Sequence, residues 1–200
     1  MSTAILKRLH DDHHHYDGLL CIAERQLHGA QCGDTPDFAL LRDIFHYMNH
    51  HPDRLHHPFE DRLFERLAER HPDDEASLTI LHEQHRRMAI YGRELYETFR
   101  AISEGDADPE LDLNTLNLAQ AYSELYHAHL RCEETRIFPQ LAQWLTIEDW
   151  QELGGAEDPL TDAEEDKEFQ ALRERIGTNH TGLWLSEEER AIYCPLCQAS

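Results

Sequence analysis

The feature that most constrains this chain is an apolar seam at helical spacing in which single places are taken by histidine. Leu78, Leu81, His85, Met88, Gly92, Leu95, Phe99 and Ile102 follow alternating steps of three and four, the spacing that keeps side chains on one narrow face of a helix. Near the N-terminus Leu6, Leu9, His13, Tyr16, Leu20, Ala23 and Leu27 do the same. His13 and His85 therefore point into a core, whereas His14 and His15 turn away. Two further helical runs carry a His and a Glu four residues apart. His56 and Glu60 share a face with Leu63 and Leu67, and His129 and Glu133 share one with Leu118, Tyr122 and Leu125. At about 100° per residue the adjacent pair His57 and Asp61 turns toward the flank, and His127 points away from His129.

Breakers divide these runs. Helix one is expected over about 3–28, ended by Gly29, with a loop through Cys32–Pro36. Helix two spans about 37–71, kinked or split where Pro52 and Pro58 each remove a backbone donor. Helix three follows Pro72 and stops at Gly105; helix four runs from about Asn114 to Trp144. No stretch alternates apolar and polar residues long enough for a sheet. The fold class is all-α: an up-and-down four-helix bundle over 1–145, followed by a short helical acidic extension over 146–200. Within that extension Thr146-x-x-Asp149, Thr161-x-x-Glu164 and Ser186-x-x-Glu189 have the form of helix-start capping patterns, and it ends in Cys194-Pro195-Leu196-Cys197.

Charge removes several function classes. Asp and Glu number 40 against 18 Lys and Arg, a formal net charge of −22, so nucleic acid and anionic membrane surfaces are repelled and neither is expected as a partner. No apolar run approaches the ~20 residues of a membrane span, and Met1–Lys7 leads into an amphipathic segment without a signal-like stretch, so the expected location is cytoplasmic. Five scattered cysteines do not make a secreted disulfide framework. A lone C-x-x-C such as Cys194/Cys197 fits a thiol switch, half of an intermolecular zinc site or two exposed thiols alike. The acidic extension is a candidate docking surface for a protein partner.

What remains is the convergence of His13, His56, Glu60, His85, His129 and Glu133. Imidazoles and carboxylates are costly inside an apolar bundle unless paired, and a cation resolves the cost for all six together. Four imidazoles and two carboxylates suit iron, manganese or zinc, and a carboxylate can bridge two ions. A metal-free buried polar network is the alternative. The ferritin-like di-iron pattern needs two Glu-x-x-His motifs; Glu124-x-x-His127 is the only one here, and it lies off the seam.

The segments Leu9-His10-Asp11-Asp12-His13, His56-His57-Pro58-Phe59-Glu60, Leu81-His82-Glu83-Gln84-His85 and His129-Leu130-Arg131-Cys132-Glu133 resemble, in order, the H, HxxxE, H, HxxxE pattern of the hemerythrin-like (HHE cation-binding) family. The resemblance covers roughly residues 4–145. It implies a non-heme di-iron centre, oxo- or hydroxo-bridged, with Glu60 and Glu133 as bridging residues and the four histidines as terminal ligands. Oxygen-carrying hemerythrins have a second histidine one turn away on helix three, where this chain has Leu81 and Ala89; His82 is the substitute within reach, and fewer imidazoles leave open metal positions. The HHP segment leaves His57 with Asp61 open as the helix-two pair instead. The resemblance implies binding or sensing of dioxygen, nitric oxide or peroxide, or handling of iron; a structural metal or iron-delivery module acting through protein partners is the second reading.

Overall fold

The computed structural model describes residues 2–154, 167 and 170–176. Its helices are α1 (Ser2–Gln31), α2 (Phe38–His51), α3 (His57–Arg70), α4 (Glu75–Glu104), α5 (Leu113–Cys132), α6 (Phe138–Trp144) and α7 (Ile147–Gly154). There is no strand among the described residues. α2 passes into α3, and α5 into α6, through one π-helical turn each, over Pro52–His56 and Glu133–Ile137. In these turns the His57 N–H reaches back to the Pro52 carbonyl and the Phe138 N–H to the Glu133 carbonyl. One residue more than an α turn is thus inserted beside each His/Glu pair, a distortion that recurs at functional sites.

Local chemistry sets the boundaries. Asp37 and Asp112 cap α2 and α5 by accepting from the Leu40 and Thr115 N–H groups at 2.8 and 2.7 Å. α1 continues through Gly29 to Gln31, beyond its expected end, because the left-handed stop is made by Gly33 at φ 98°. Gly105, at φ 83°, stops α4 as expected. The second run is split at the prolines as expected: α2 ends at His51, Pro52 opens the π turn, and α3 begins at His57, just before Pro58.

α4 packs between α2 and α5, and α1 packs against the same two, so the long helices close into a ring. Two apolar clusters fill it. One gathers Leu20, Leu27, Phe45, Met88, Leu95, Phe99 and Tyr122; the other gathers Leu9, Phe59, Leu63, Phe64, Leu81, Phe138 and Leu141. At roughly 1.5–3 kcal/mol for each fully buried large side chain, these clusters drive assembly. On α4 the expected seam is buried from Leu78 through Phe99, with Ile102 partly exposed. On α5 the stripe differs from the expectation. Leu118 and Leu125 are only half-buried, and Tyr126 takes the core position, packed against Tyr16 and Tyr122 at ring-centroid distances of 6.0 and 5.4 Å.

The first part of the acidic segment is packed. Thr146 and Asp149 form the expected reciprocal cap, Trp150 and Leu153 enter the second apolar cluster, and buried Asp149 pairs with Arg66 and Arg70. Leu172 and Ile176, in the helical stretch 170–176, join the first cluster. The patterns at Thr161 and Ser186 and the pair Cys194/Cys197 lie outside the described residues. No helix is long and apolar enough to cross a membrane among those described.

Candidate metal centre

Between the two apolar clusters the ring is crossed by one polar layer. Its six side chains are His13 from α1, His56 and Glu60 at the α2–α3 junction, His85 from α4, and His129 and Glu133 at the α5–α6 junction. All are buried. The structure therefore brings together every residue singled out by the spacing argument. The imidazoles form two pairs facing each other through Nε2, His13 with His56 at 3.0 Å and His85 with His129 at 3.2 Å. Glu60 reaches both pairs, Oε1 lying 3.5 and 3.2 Å from His13 and His56 and Oε2 lying 3.6 Å from His85. Glu133 also reaches both, at 3.5 Å from His13, 3.6 Å from His85 and 3.1 Å from His129.

The family model of the hemerythrin HHE cation-binding domain matches residues 3–141. The chain belongs to the hemerythrin HHE cation-binding family. No curated protein and no solved structure matches it.

The donor set of this HHE domain fits a cation on its own chemistry. All four carboxylate oxygens of Glu60 and Glu133 are buried without a hydrogen-bond partner, although imidazole nitrogens stand 3.1–3.6 Å away. A buried acceptor left without a hydrogen bond costs about 1–3 kcal/mol, and a metal ion would supply the missing contacts. His13, His56 and Glu60 offer donor atoms close enough for one ion, and Glu60, His85, His129 and Glu133 for another.

A ring of outer oxygens fixes the imidazoles. His13 Nδ1–H donates to Glu134 at 2.7 Å, His56 to Asp12 at 3.3 Å, His85 to Asp61 at 2.9 Å and His129 to Gln84 at 3.2 Å. With Nδ1 occupied in each ring, the Nε2 lone pair is directed into the layer, the arrangement by which outer partners set tautomer and basicity. Rings close the layer above and below: Phe138 stacks on His13 at 5.2 Å, and Tyr16, whose hydroxyl bonds His51, meets His56 edge-on at 5.2 Å.

Without a metal the layer balances its charge with protons. Burial opposes charge on His13, but the bond to Glu134 and the nearby Glu60 and Glu133 carboxylates override it and raise its pKa to about 10. His85 is likewise raised to about 10, against burial, by Asp61 and Glu133. Burial pushes Glu60 upward, yet the charge of His56 and the contact with His13 hold it well below its ordinary range. His129 goes the other way, because burial outweighs the pull of Glu133.

His57 and Asp61 do not replace His56 and Glu60, and neither is idle on a flank. His57 is buried, stacks on His85 at 4.0 Å and donates to Asp53 at 3.2 Å. Burial, reinforced by the charge of His85, keeps it neutral, with its pKa well below the ordinary value. Its ring lies close enough to His85 and His129 for the three to share an ion. His82 lies at the edge of the layer, half-exposed and 2.8 Å from Asp61, and with Asp61 and His85 it makes a further group close enough to share an ion. His127 is off the layer, between Asp17 and Glu24. Asp12, Gln84 and Glu134 went unmarked in the sequence, although a signal was present: two directly precede a core histidine, and the third directly follows a core glutamate.

Proposed function

We propose that this HHE domain holds two iron ions in the polar layer and uses them to bind or sense dioxygen, nitric oxide or peroxide. In this reading His13 and His56 are donors to one ion, His85 and His129 to the other, and Glu60 and Glu133 are shared. The single observation that carries it is the set of four buried, unpartnered carboxylate oxygens between two facing imidazole pairs. A bound iron pair supplies redox change and positions for a small exogenous ligand. The chain's own residues supply the rest. Glu134, Asp12, Asp61 and Gln84 keep the four rings turned inward, while Phe138, Tyr16 and the flanking leucines keep bulk water out. His57 brings a seventh buried donor to the second half only, which makes the two metal positions unequal.

The test is metal analysis of protein produced in iron-rich medium, alongside a variant carrying His56→Ala, Glu60→Ala, His129→Ala and Glu133→Ala. About two irons per chain, lost in the variant, and a change in the visible spectrum of the reduced protein on exposure to dioxygen, nitric oxide or peroxide are expected. Firmly held iron with no spectral response to any of the three would move the domain to the metal-holding or iron-delivery class. No metal in a well-folded wild-type protein would leave the layer a polar network.

A further inference from the structure

Outside the buried layer, on the half-exposed face of α1, His10 and His14 point their Nε2 atoms at each other at 2.8 Å with ring planes 85° apart. Two imidazoles bound to one ion at metal–nitrogen distances of ~2.1 Å place their nitrogens about 3 Å apart at a right angle and about 3.4 Å apart at a tetrahedral one, so a metal would replace the present hydrogen bond of the pair with little movement. The surface pair therefore repeats the donor spacing of the buried pairs, at 3.0 and 3.2 Å. Histidines four apart on a helix are a sound two-point chelate because they leave the same face in succession.

Position gives the pair its meaning. Glu134 joins it to the layer, with Oε2 3.0 Å from His10 Nδ1 and Oε1 2.7 Å from His13 Nδ1. A cation held between His10 and His14 is thus separated from the buried donors by one carboxylate. The opposite face makes an instructive contrast. There His82 and His85 share Asp61 as His10 and His13 share Glu134, and those three are close enough to share an ion among themselves. No second surface imidazole joins them, however: the position four after His82 is Arg86, an exposed cation paired with Glu83 at 3.2 Å. An arginine cannot donate a lone pair and repels a metal ion.

We infer that His10 and His14 form a capture site for a divalent metal ion that supplies the buried layer through the Glu134 side of the bundle. This rests on the metal-binding reading of the layer for its destination, but not for the site itself. The experiment titrates Co2+ into metal-free protein and follows its visible absorption and the rate at which the bands develop, in wild type, in His14→Ala, and in Glu60→Ala/Glu133→Ala with and without His14→Ala. The expected result is that His14→Ala loses the weakest cobalt equivalent and fills the buried donors several-fold more slowly at limiting cobalt, reaching the same final buried occupancy. In the Glu60→Ala/Glu133→Ala protein one surface equivalent should remain and disappear with His14→Ala. If that equivalent is absent, or if His14→Ala fills at the wild-type rate, the inference is overturned. A wild-type protein that binds cobalt only in a manner abolished by His14→Ala would instead overturn the buried-centre reading and retain the surface site.

Discussion

The chain builds its polar layer twice, and the two versions differ in instructive places. Residues 10–61 contribute His10, Asp12, His13, His56, Glu60 and Asp61; residues 82–134 contribute His82, Gln84, His85, His129, Glu133 and Glu134 in the same order. The outer oxygens cross over in the same way in both. The residue before each single histidine serves the histidine of the following His/Glu pair, so that Asp12 bonds His56 and Gln84 bonds His129. The residue after each glutamate serves the single histidine of the other half, so that Glu134 bonds His13 and Asp61 bonds His85. The repeated elements are the inner donors and the groups that aim them. The varied elements lie around them: Asp12 against Gln84, His57 against Leu130, and His14 against Arg86. On the two-iron proposal, a layer duplicated in its donors but not in its surroundings would offer its two ions unequal sites.

The largest expected effect separates what the halves share from what each owns. Each glutamate stands within 3.6 Å of imidazoles of both pairs, so Glu60→Ala or Glu133→Ala should empty both metal positions. His13→Ala should empty only the half it shares with His56. Elemental analysis per chain, with helical content checked by circular dichroism, measures this. Loss of both ions in His13→Ala would break the two-site comparison, leaving one cooperative unit.

How much of this was legible in the sequence follows from which positions the helical period controls. On α4 every seam residue from Leu78 to Phe99 is buried, because an uninterrupted helix preserves its 3.6-residue period. The six layer residues were legible for the same reason, His56 to Glu60 and His129 to Glu133 each being one α turn. The α5 stripe was not, since from Tyr122 a step of three reaches Leu125 and a step of four reaches Tyr126, and either fits. Tertiary packing decides for Tyr126, which wedges between Tyr16 and Tyr122. The π turn at Glu133–Ile137 has no proline within it to announce it. His57 was misplaced because a helix angle fixes the direction in which a side chain leaves, not what stands there; the His85 ring provides a buried stacking surface on that side.

A second prediction concerns protons. In the metal-free protein His13 and His85, one in each half, hold their protons up to about 10, against 6.5 for an ordinary histidine. A folded-state pKa raised in this way adds stability that is fully present below pH 6.5 and is lost as pH rises toward about 10, because the unfolded chain gives up its protons first. The melting temperature of the metal-free protein should therefore fall across that interval. If the imidazoles carry metal in place of protons, as proposed, the melting temperature of the loaded protein should stay nearly level. Thermal melts of both forms across the range decide it, and parallel curves would show that the protons are not the metal's substitutes.

The smallest effect tests the difference between Asp12 and Gln84. Asp12 is buried and accepts from His56 Nδ1 at 3.3 Å, with Arg8 also 3.3 Å away; burial raises its carboxyl, but His56 and Arg8 draw it below the ordinary range, so it is ionised. Its negative charge makes His56 a stronger donor than a neutral amide can make His129. Asp12→Asn gives the first half the amide that the second half already has, while keeping the shape of the side chain and an acceptor for His56. Both ions should still bind, with the affinity of the first half lowered by about tenfold, near the lower end for loss of an outer partner. Competition against a chelator of known strength reads this directly. An unchanged first half would mean that aiming the ring, which Asn and Gln both achieve, is all the outer oxygens contribute; the inequality of the two sites would then rest on His57 alone.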